Sequence, residues 1–391
     1  MTNKKEEVLE LLIEKLELPS LAYEKANDRY EDLGEWFNRE KSLLRENNVH
    51  IFPQGSFSLG TAIRPINDDG EYDLDIACKI RNGFNKETHT QKAVKEVVGE
   101  ELKLYRIAKN IHEPVTTKRR CWRLEYRDNI NFHIDIVPAI TANKELKITM
   151  LEKMSSINTT REIAERASDL VMSITDDKHE NYNSITNDWI ISNPEGYRIW
   201  FNDQMNKGEK GIFIEKSAQV DEIPTYNRKT PLQRSIQLLK RHRDIMFGDN
   251  EGKPISIIIT TLAAKAYNGE TKIHQALNNI IDNMPKFIDQ APPRVSNPVN
   301  PEENFADKWS MDEYEHLNLE ANFRLWLRQV RVDFDNLLTS GNPKFITKQI
   351  KERFSVSLNS DIIQQKLGVK SEDFPEPKEH DIRETVKPWR N

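Results

Sequence analysis

The chain has little cysteine and lacks the common zinc-binding motifs. Its 391 residues include two isolated cysteines, Cys78 and Cys121, and contain neither a C-x-x-C nor an H-E-x-x-H pattern. Such patterns place several metal ligands close together in space. We therefore expect no structural zinc site in this protein.

Long apolar runs are also absent. No stretch of about 20 apolar residues occurs, which is the length that a helix needs to cross a bilayer. Residues 1–10 are rich in charge and lack the apolar run of a signal peptide. We therefore expect a cytoplasmic protein with no membrane partner.

An excess of positive charge is the third feature that the chain lacks. It has 57 Lys and Arg residues against 63 Asp and Glu residues, a formal net charge of -6. A negatively charged protein does not attract a long polyanion through its overall field. We therefore expect nucleotides, and not nucleic acid duplexes, as substrates.

The length and the 37% hydrophobic content allow one large core or two lobes, and we expect two. Residues 1–165 are predicted to form a sheet-containing lobe with a long N-terminal helix that braces both lobes. In that helix Ser20, which follows Pro19, is the predicted N-cap. Residues 166–369 are predicted to form a helical lobe, and residues 370–391 a mobile tail with too few apolar side chains to fold.

The strongest chemical signal is a pair of carboxylates in the stretch from residue 52 to residue 80. Asp73 and Asp75 are two residues apart in a predicted strand, so their side chains lie on the same face, while Leu74 and Ile76 lie on the other. Two neighbouring carboxylates repel each other unless they share a hard cation such as Mg2+. The pair therefore predicts a metal site.

Two further features surround this pair in sequence. Upstream, Gly55 allows close approach of backbone N–H groups to an anion, and the Ser56 hydroxyl adds a donor, which together suit a triphosphate. Downstream, a second strand-like run carries Asp135. Three carboxylates can bind two metal ions, with the third placed to accept the proton of an attacking hydroxyl.

Arginines and a histidine also lie near these motifs. Residues 115–126 are predicted to form one strand with Arg119 and Arg123 on the same side. Either an arginine meets a phosphate or a base, or the strand is a solvated edge, which we favour. His133 shares the face of Asp135 and is interpreted as its hydrogen-bonded neighbour without a catalytic role.

A strong helix is predicted to begin with Thr230 as N-cap and Pro231 at its first position. Lys240 and Arg243 lie beside its apolar stripe, where a cation needs an anionic partner unless it extends to water. Ser256 begins the next helix, either as a plain N-cap or in a triphosphate site shared with Lys240. Three segments are predicted to be irregular: the turn-rich passage at 189–201, a loop at 212–230 and an excursion at 285–309.

Together these residues resemble the bacterial cGAS/DncV-like nucleotidyltransferases of CBASS anti-phage systems, within the polymerase-β-like superfamily. The resemblance covers most of the chain. It rests on Gln54-Gly55-Ser56, GTAIRP at 60–65, YDLD at 72–75, HIDIVP at 133–138, SNPEGY at 192–197, the helix around Lys240, PISIIITTLAAKAY at 254–267 and NPVNPEENFADKW at 297–309.

The resemblance implies a two-lobed α+β nucleotidyltransferase fold and a cyclic oligonucleotide synthase that makes a di- or trinucleotide second messenger in anti-phage defence. Asp73, Asp75 and Asp135 would bind two Mg2+ or Mn2+ ions, with Asp135 as the base. ATP, and with it GTP or other NTPs, would be the substrates, and a CBASS accessory protein would bind the C-terminal tail. The residues implied in nucleotide binding are Gln54, Gly55, Ser56, Lys240, Ser256 and Asp307.

Two other functions stay open at this point. The chain could add single nucleotides to RNA, a protein or a small molecule, which a product assay would separate from cyclisation. It could also be a non-catalytic nucleotide- or RNA-binding module, against which the intact Asp73, Asp75 and Asp135 argue. The chain has no Cys/His thumb and no basic face, so we do not expect activation by double-stranded DNA.

Overall fold

The computed structural model describes residues 2–67, 70–127, 130–157, 159–208 and 229–368. These residues form a mixed β-sheet, a separate two-stranded hairpin and many helices. The fold is therefore α+β, as predicted. The mixed sheet is built from the first half of the chain, whereas helices dominate the second half.

Seven strands form the mixed sheet, and its centre consists of the two strands that carry the predicted carboxylates. Their order is β1-β2-β5-β4-β3, and β6 pairs with both β5 and β7. The pair β2–β5 is parallel, and the other pairs described in this sheet are antiparallel. The strands are β1 (Val49–Gln54), β2 (Tyr72–Ile80), β3 (Thr116–Thr117), β4 (Trp122–Tyr126), β5 (Phe132–Thr141), β6 (Met172–Ile174) and β7 (Ile190–Ser192), and the hairpin consists of β8 (Ser296–Asn297) and β9 (Asn300–Asn304).

Helices precede the sheet, cross over it and make up most of the remaining fold. They are α1 (Thr2–Leu16), α2 (Ser20–Asn38), α3 (Gly55–Ser58), α4 (Gln91–Ala108), α5 (Lys144–Ser155), α6 (Arg161–Asp169), α7 (Pro194–Met205), α8 (Pro231–Phe247), α9 (Ser256–Ala266), α10 (Ile273–Asn283), α11 (Leu319–Thr339), α12 (Pro343–Phe354) and α13 (Ser360–Leu367). Short 3-10 helices lie at Arg45–Asn47, Asn206–Gly208, Met284–Phe287, Asp307–Ser310 and Asp312–Leu317. Within the described residues, no helix is long and apolar enough to span a bilayer.

Two large hydrophobic clusters form the core. The sheet cluster joins α2 and α4 to one face of the sheet, and the helical cluster joins α1 to α5–α13. The predicted boundary at residue 165 does not coincide with these clusters. Helix α1 packs in the helical cluster, and β6 and β7, which follow the boundary, extend the sheet.

The N-terminal helix is divided in two. α1 ends at Leu16 and α2 begins at Ser20, because Pro19 disfavours helical backbone at the residue before it. Pro19, and not Ser20, occupies the N-cap position, so the prediction for Ser20 was wrong. The two helices belong to different clusters, and the connection between the lobes therefore runs through this corner.

The secondary structure of three segments differs from the prediction. Residues 115–126 form two strands separated by a turn, and residues 189–201 include β7 and the first part of α7, which Asn193 caps. The excursion at 285–309 contains the β8–β9 hairpin. Helix α8 is as predicted, with Pro231 at its start and a capping box made by Thr230 and Gln233. The predicted tail at 370–391 and residues 212–228 of the predicted loop lie outside the described residues.

Candidate active site

The three predicted carboxylates come together on two adjacent parallel strands. Asp75 of β2 lies directly opposite Asp135 of β5, and Asp73 lies opposite His133. Neighbouring strands are about 4.8 Å apart, so side chains on one face at the same level are close to each other. Leu74 and Ile76 lie on the other face, where they are fully buried in the sheet cluster. This alternation fixes the carboxylates on the face away from that cluster.

Asp75 is the electrostatic centre of the site. Its burial, followed by the negative charges of Asp135 and Asp73, raises its pKa from 3.8 to about 7, although Arg123 and Lys240 oppose the shift. Around neutral pH the ionised form is therefore costly without a further cation. The site favours a ligand that brings positive charge to this carboxylate.

Gly55 lies against Asp75. It follows β1, where Gln54 is paired with Asp75, and it begins the short helix α3, which also contains Ser56. The φ angle of Gly55 is 64°, and a Cβ atom at this position would lie 2.3 Å from Oδ2 of Asp75. Glycine is needed here both for the backbone conformation and for the space that the carboxylate occupies.

Arg123 is a site residue that the sequence interpretation missed. It lies opposite Asp135 in the β4–β5 pair. Its Nε donates to Oδ1 of Asp135 at 2.7 Å and its Nη2 donates to Oδ2 at 2.8 Å. The favoured interpretation of this arginine as part of a solvated edge was wrong, because β4 pairs with β5 in a register that places Arg123 opposite Asp135 and that no sequence pattern indicates.

Two more side chains complete the surroundings of the carboxylates. His133 lies 2.7 Å from Oε2 of Glu71 through Nε2 and 3.6 Å from Oδ1 of Asp73 through Nδ1. The Cys121 thiol lies near Asp135, and burial, followed by the negative charge of Asp135, raises its pKa to about 12. His133 is thus a neighbour of Glu71 and Asp73, whereas no hydrogen bond or ion pair among the described residues joins it to Asp135, beside which the sequence placed it.

Lys240 enters the site from α8 and is almost fully buried. Its Nζ donates to the backbone oxygen of Thr61 at 3.1 Å and to Oγ1 of Thr61 at 3.0 Å. Burial, followed by the positive charge of Arg243, lowers its pKa from 10.5 to about 7, and Asp75 is among the groups that oppose this shift. Lys240 therefore lies within electrostatic reach of Asp75 and does not extend to water.

Ser256 and Asp307 are less closely connected to the carboxylates. Ser256 is the first residue of α9, with Ile255 at the N-cap position, so its predicted capping role was wrong. Its Oγ accepts a hydrogen bond of 2.8 Å from Nη1 of Arg243. Asp307 is exposed and accepts a hydrogen bond from the backbone of Lys308. No contact among the described residues joins Asp307 to the three carboxylates.

The three carboxylates are suitable ligands for a divalent metal ion, but their side chains must rearrange when the ion binds. Within the described ranges, no three His, Cys, Asp or Glu side chains are already arranged so as to hold a metal ion. Both oxygens of Asp135 accept hydrogen bonds from Arg123, which must share or release this carboxylate when a cation binds. The oxygen ligands and the raised pKa of Asp75 suit a hard cation such as Mg2+.

A cavity among the described residues lies away from the three carboxylates. It has a volume of about 330 Å³ and is bounded mainly by residues of α10 and α11, including Ile281, Phe323, Leu327 and Arg328. None of the three carboxylates lines it. We assign the candidate site by the clustered carboxylates, because an open cleft for a polar ligand need not form an enclosed cavity.

Comparisons with known proteins agree with this assignment. Residues 49–138, which include β1, β2 and most of β5, match the family model described as Cyclic GMP-AMP synthase DncV-like, nucleotidyltransferase domain. The c-di-GMP synthase of Roseivirga ehrenbergii is 33% identical over 316 residues, which are 78% of this chain and 73% of the relative.

Solved structures share the fold over nearly the whole chain. The Bradyrhizobium diazoefficiens CD-NTase CdnG in complex with GTP has a TM-score of 0.62 at 19% identity, covering 93% of this chain and 98% of that one. The E. coli MS115-1 CdnC:HORMA-deltaN complex has a TM-score of 0.55 at 14% identity, covering 90% and 98%. At these identities the structures show a common fold.

Proposed function

Since the chain belongs to the CD-NTase family of DncV-like nucleotidyltransferases, we propose that it joins nucleoside triphosphates into a cyclic dinucleotide second messenger. One observation carries the proposal: Asp73 and Asp75 lie beside Asp135 on paired strands, with Gly55 against Asp75. GTP is a proposed substrate alongside ATP, because one relative is named c-di-GMP synthase and CdnG is solved with GTP. The reaction would need no template strand.

The three carboxylates would bind the metal ions and accept a proton. Asp73, Asp75 and Asp135 would hold two Mg2+ or Mn2+ ions, which would supply positive charge to stabilise the α-phosphate as a hydroxyl attacks it and pyrophosphate leaves. Asp135, once Arg123 shares or releases it, would accept the proton of the attacking hydroxyl. The removal of that proton in the transition state makes the hydroxyl a better nucleophile.

The nucleotide would lie between the sheet and the helices. Gly55 and Ser56, next to Gln54, would hold the triphosphate through backbone N–H groups and a hydroxyl. Lys240 and Ser256 would contact the nucleotide from α8 and α9, and Asp307 would approach it from its exposed position. The low pKa of Lys240 would rise again beside a phosphate, because the anion favours the charged amine.

A product assay tests the proposal directly. Purified protein is incubated with all four NTPs and Mg2+, and the products are identified by mass spectrometry. We expect a cyclic dinucleotide. Transfer of a single nucleotide to an added acceptor without cyclisation would favour the general nucleotidyltransferase, and nucleotide binding without any product would favour the non-catalytic module.

We extend the proposal to the biological setting and to a partner. The messenger would act in anti-phage defence of the CBASS type, and an accessory protein would bind the tail at residues 370–391. Support for a partner comes from CdnC, whose solved structure is a complex with HORMA-deltaN.

Mg2+ binding is expected to strengthen with pH in a way that depends on Asp75. The pKa of Asp75 is raised, so its stabilising contribution to the metal-free fold is complete below pH 3.8 and is lost as the pH rises through about 7. Mg2+ binds the ionised form, whose fraction is about tenfold larger at pH 8 than at pH 6 for a pKa near 7. Thermal unfolding should therefore show a larger Mg2+-induced rise in Tm at pH 8. An equal rise at both pH values, or the same pH dependence in Asp75→Asn, would contradict this.

Lys240→Met is expected to weaken the binding of ATP about tenfold and leave the binding of adenosine unchanged, since one charge-assisted hydrogen bond contributes on the order of 1.5 kcal/mol. Calorimetric titration of both ligands measures the difference. Lys265→Met is the matched control, because Lys265 is a largely buried lysine of α9 that donates to Ser296. If the Lys240→Met protein binds ATP with wild-type affinity, Lys240 does not contact the triphosphate, and its role is limited to its hydrogen bonds with Thr61.

A further inference from the structure

Helix α8 is connected to the segment at residues 59–65 by a series of side-chain hydrogen bonds. Four of its residues donate to backbone oxygens of that segment. They are Gln233 to Leu59 at 3.0 Å, Gln237 to Ala62 at 2.8 Å, Lys240 to Thr61 at 3.1 Å and Arg241 to Arg64. The spacing of four and three residues places Gln233, Gln237 and Lys240 on one face of the helix, and Arg241 lies at the edge of that face.

The two glutamines of this series are fully buried. Gln233 and Gln237 each have 0% exposed surface. A buried amide group is costly unless it is hydrogen-bonded, and loss of its partner leaves a carbonyl without a donor. Neither glutamine carries charge, and neither approaches the carboxylates in any described contact. Besides its bond to the segment, Gln237 donates to Oε2 of Glu17 at 3.4 Å, and the Oε1 atom of Gln233 accepts from the backbone N–H of Thr230 in the capping box of α8. The bonds from both amides to the segment are to backbone oxygens, which do not titrate.

The segment connects these glutamines to the proposed triphosphate site. The backbone N–H of Leu59 donates to the oxygen of Gly55 at 3.2 Å, and that of Thr61 donates to the oxygen of Ser56 at 2.9 Å. The Leu59 side chain packs in the helical cluster, whereas Ala62 packs in the sheet cluster. Gly55 and Ser56 are thus linked to α8 through two short steps of hydrogen bonding.

We propose that Gln233 and Gln237 are positioning residues that hold Gly55 and Ser56 in place for the triphosphate of the bound nucleotide. This inference rests on the proposed function. Lys240 donates to the oxygen of Thr61, which lies in sequence between Leu59 and Ala62, the two residues that accept from the glutamines. When Lys240 turns from Thr61 to the phosphates, the glutamines retain the segment, so that the binding groups from the sheet and the helices stay at a fixed separation.

The test uses the double variant Gln233→Met/Gln237→Met in the full chain. Methionine is similar in length and removes the donors without a large loss of volume. At position 233 it also removes the oxygen that accepts from Thr230 in the capping box, so Gln237→Met, which leaves the capping box intact, is measured beside the double variant. Gln204→Met is the control, because Gln204 is a buried glutamine of α7 that bonds to Asp203 and not to the segment. If the double variant does not fold, Gln233→Met and Gln237→Met are compared singly in the same way.

Two measurements at a temperature well below Tm decide the inference. Hydrogen–deuterium exchange of the backbone amides at 55–63 should be about tenfold faster in the double variant, and KM for NTPs should rise about tenfold with a smaller change in kcat. Neither should change in the control. Unchanged exchange in a folded double variant overturns the inference, and so does faster exchange with wild-type KM, which would leave the glutamines a structural role alone.

Failure of the proposed function would look different. It would appear as the absence of any product from the wild-type protein in the NTP assay. The inference about the glutamines is judged from exchange at 55–63, which needs no catalysis, and from the comparison of each variant with the wild type.

Discussion

Asp75→Asn should lower the rate of nucleotide transfer by at least about 100-fold, since metal ions contribute several kcal/mol of transition-state stabilisation and each 1.36 kcal/mol is a factor of ten. Asparagine keeps the shape of the side chain and removes one charged metal ligand. Asp75 lies opposite Asp135 and beside Asp73, so its loss disturbs binding of both proposed ions. The measurement is initial product formation from NTPs at saturating Mg2+.

The stability of the metal-free protein should not fall with its activity. The raised pKa of Asp75 means that its ionised form is unfavourable in the metal-free fold. At pH 8, the metal-free Asp75→Asn protein should therefore have a Tm no lower than that of the wild type, and Mg2+ should raise it less. Asp335→Asn, at an exposed position of α11, should change neither property. A folded Asp75→Asn protein with normal product yield would remove the three carboxylates from the proposed mechanism.

Much of the site could be predicted because it depends on local periodicity. Asp73 and Asp75 share a face in any regular strand, and Asp135 lies in a second strand whose apolar residues alternate in the same way. The start of α8 was equally predictable, since Thr230, Pro231 and Gln233 form a local capping pattern. These features need no knowledge of how distant segments pack.

The rest of the site depends on contacts between distant segments. Arg123 reaches Asp135 because β4 pairs with β5 in a register that places the two residues opposite each other, and Lys240 reaches Thr61 across 179 residues of sequence. Helix α7 was not predicted, because Gly196 and the aromatic residues at its start have the composition of a turn. Tertiary packing buries Tyr197 and Trp200 of this helix in the helical cluster. Sequence patterns report burial of a residue but not the partner that buries it.

Gly55→Ala should reduce nucleotide transfer about 100-fold with only a modest loss of stability, since a displacement of about 1 Å at a reacting centre can cost this much. The new Cβ would lie 2.3 Å from Oδ2 of Asp75, so the carboxylate must move. The clash is with the end of a side chain that can rotate, and the fold can therefore absorb it. The proposed metal site cannot, because Asp75 would no longer face the same point as Asp135.

Gly248→Ala separates this effect from backbone strain. Gly248 also has a positive φ, 53°, and a Cβ there would meet nothing within 4 Å. Both substitutions place an alanine at a positive φ, and Gly248, whose ψ of -125° lies outside the left-handed helical region, carries at least as much strain as Gly55. Both should therefore lower Tm. Only Gly55→Ala should lose transfer activity and the Mg2+-induced rise in Tm. If the two variants lose activity to the same extent, strain alone accounts for the loss, and the contact between Gly55 and Asp75 has no part in positioning the carboxylate.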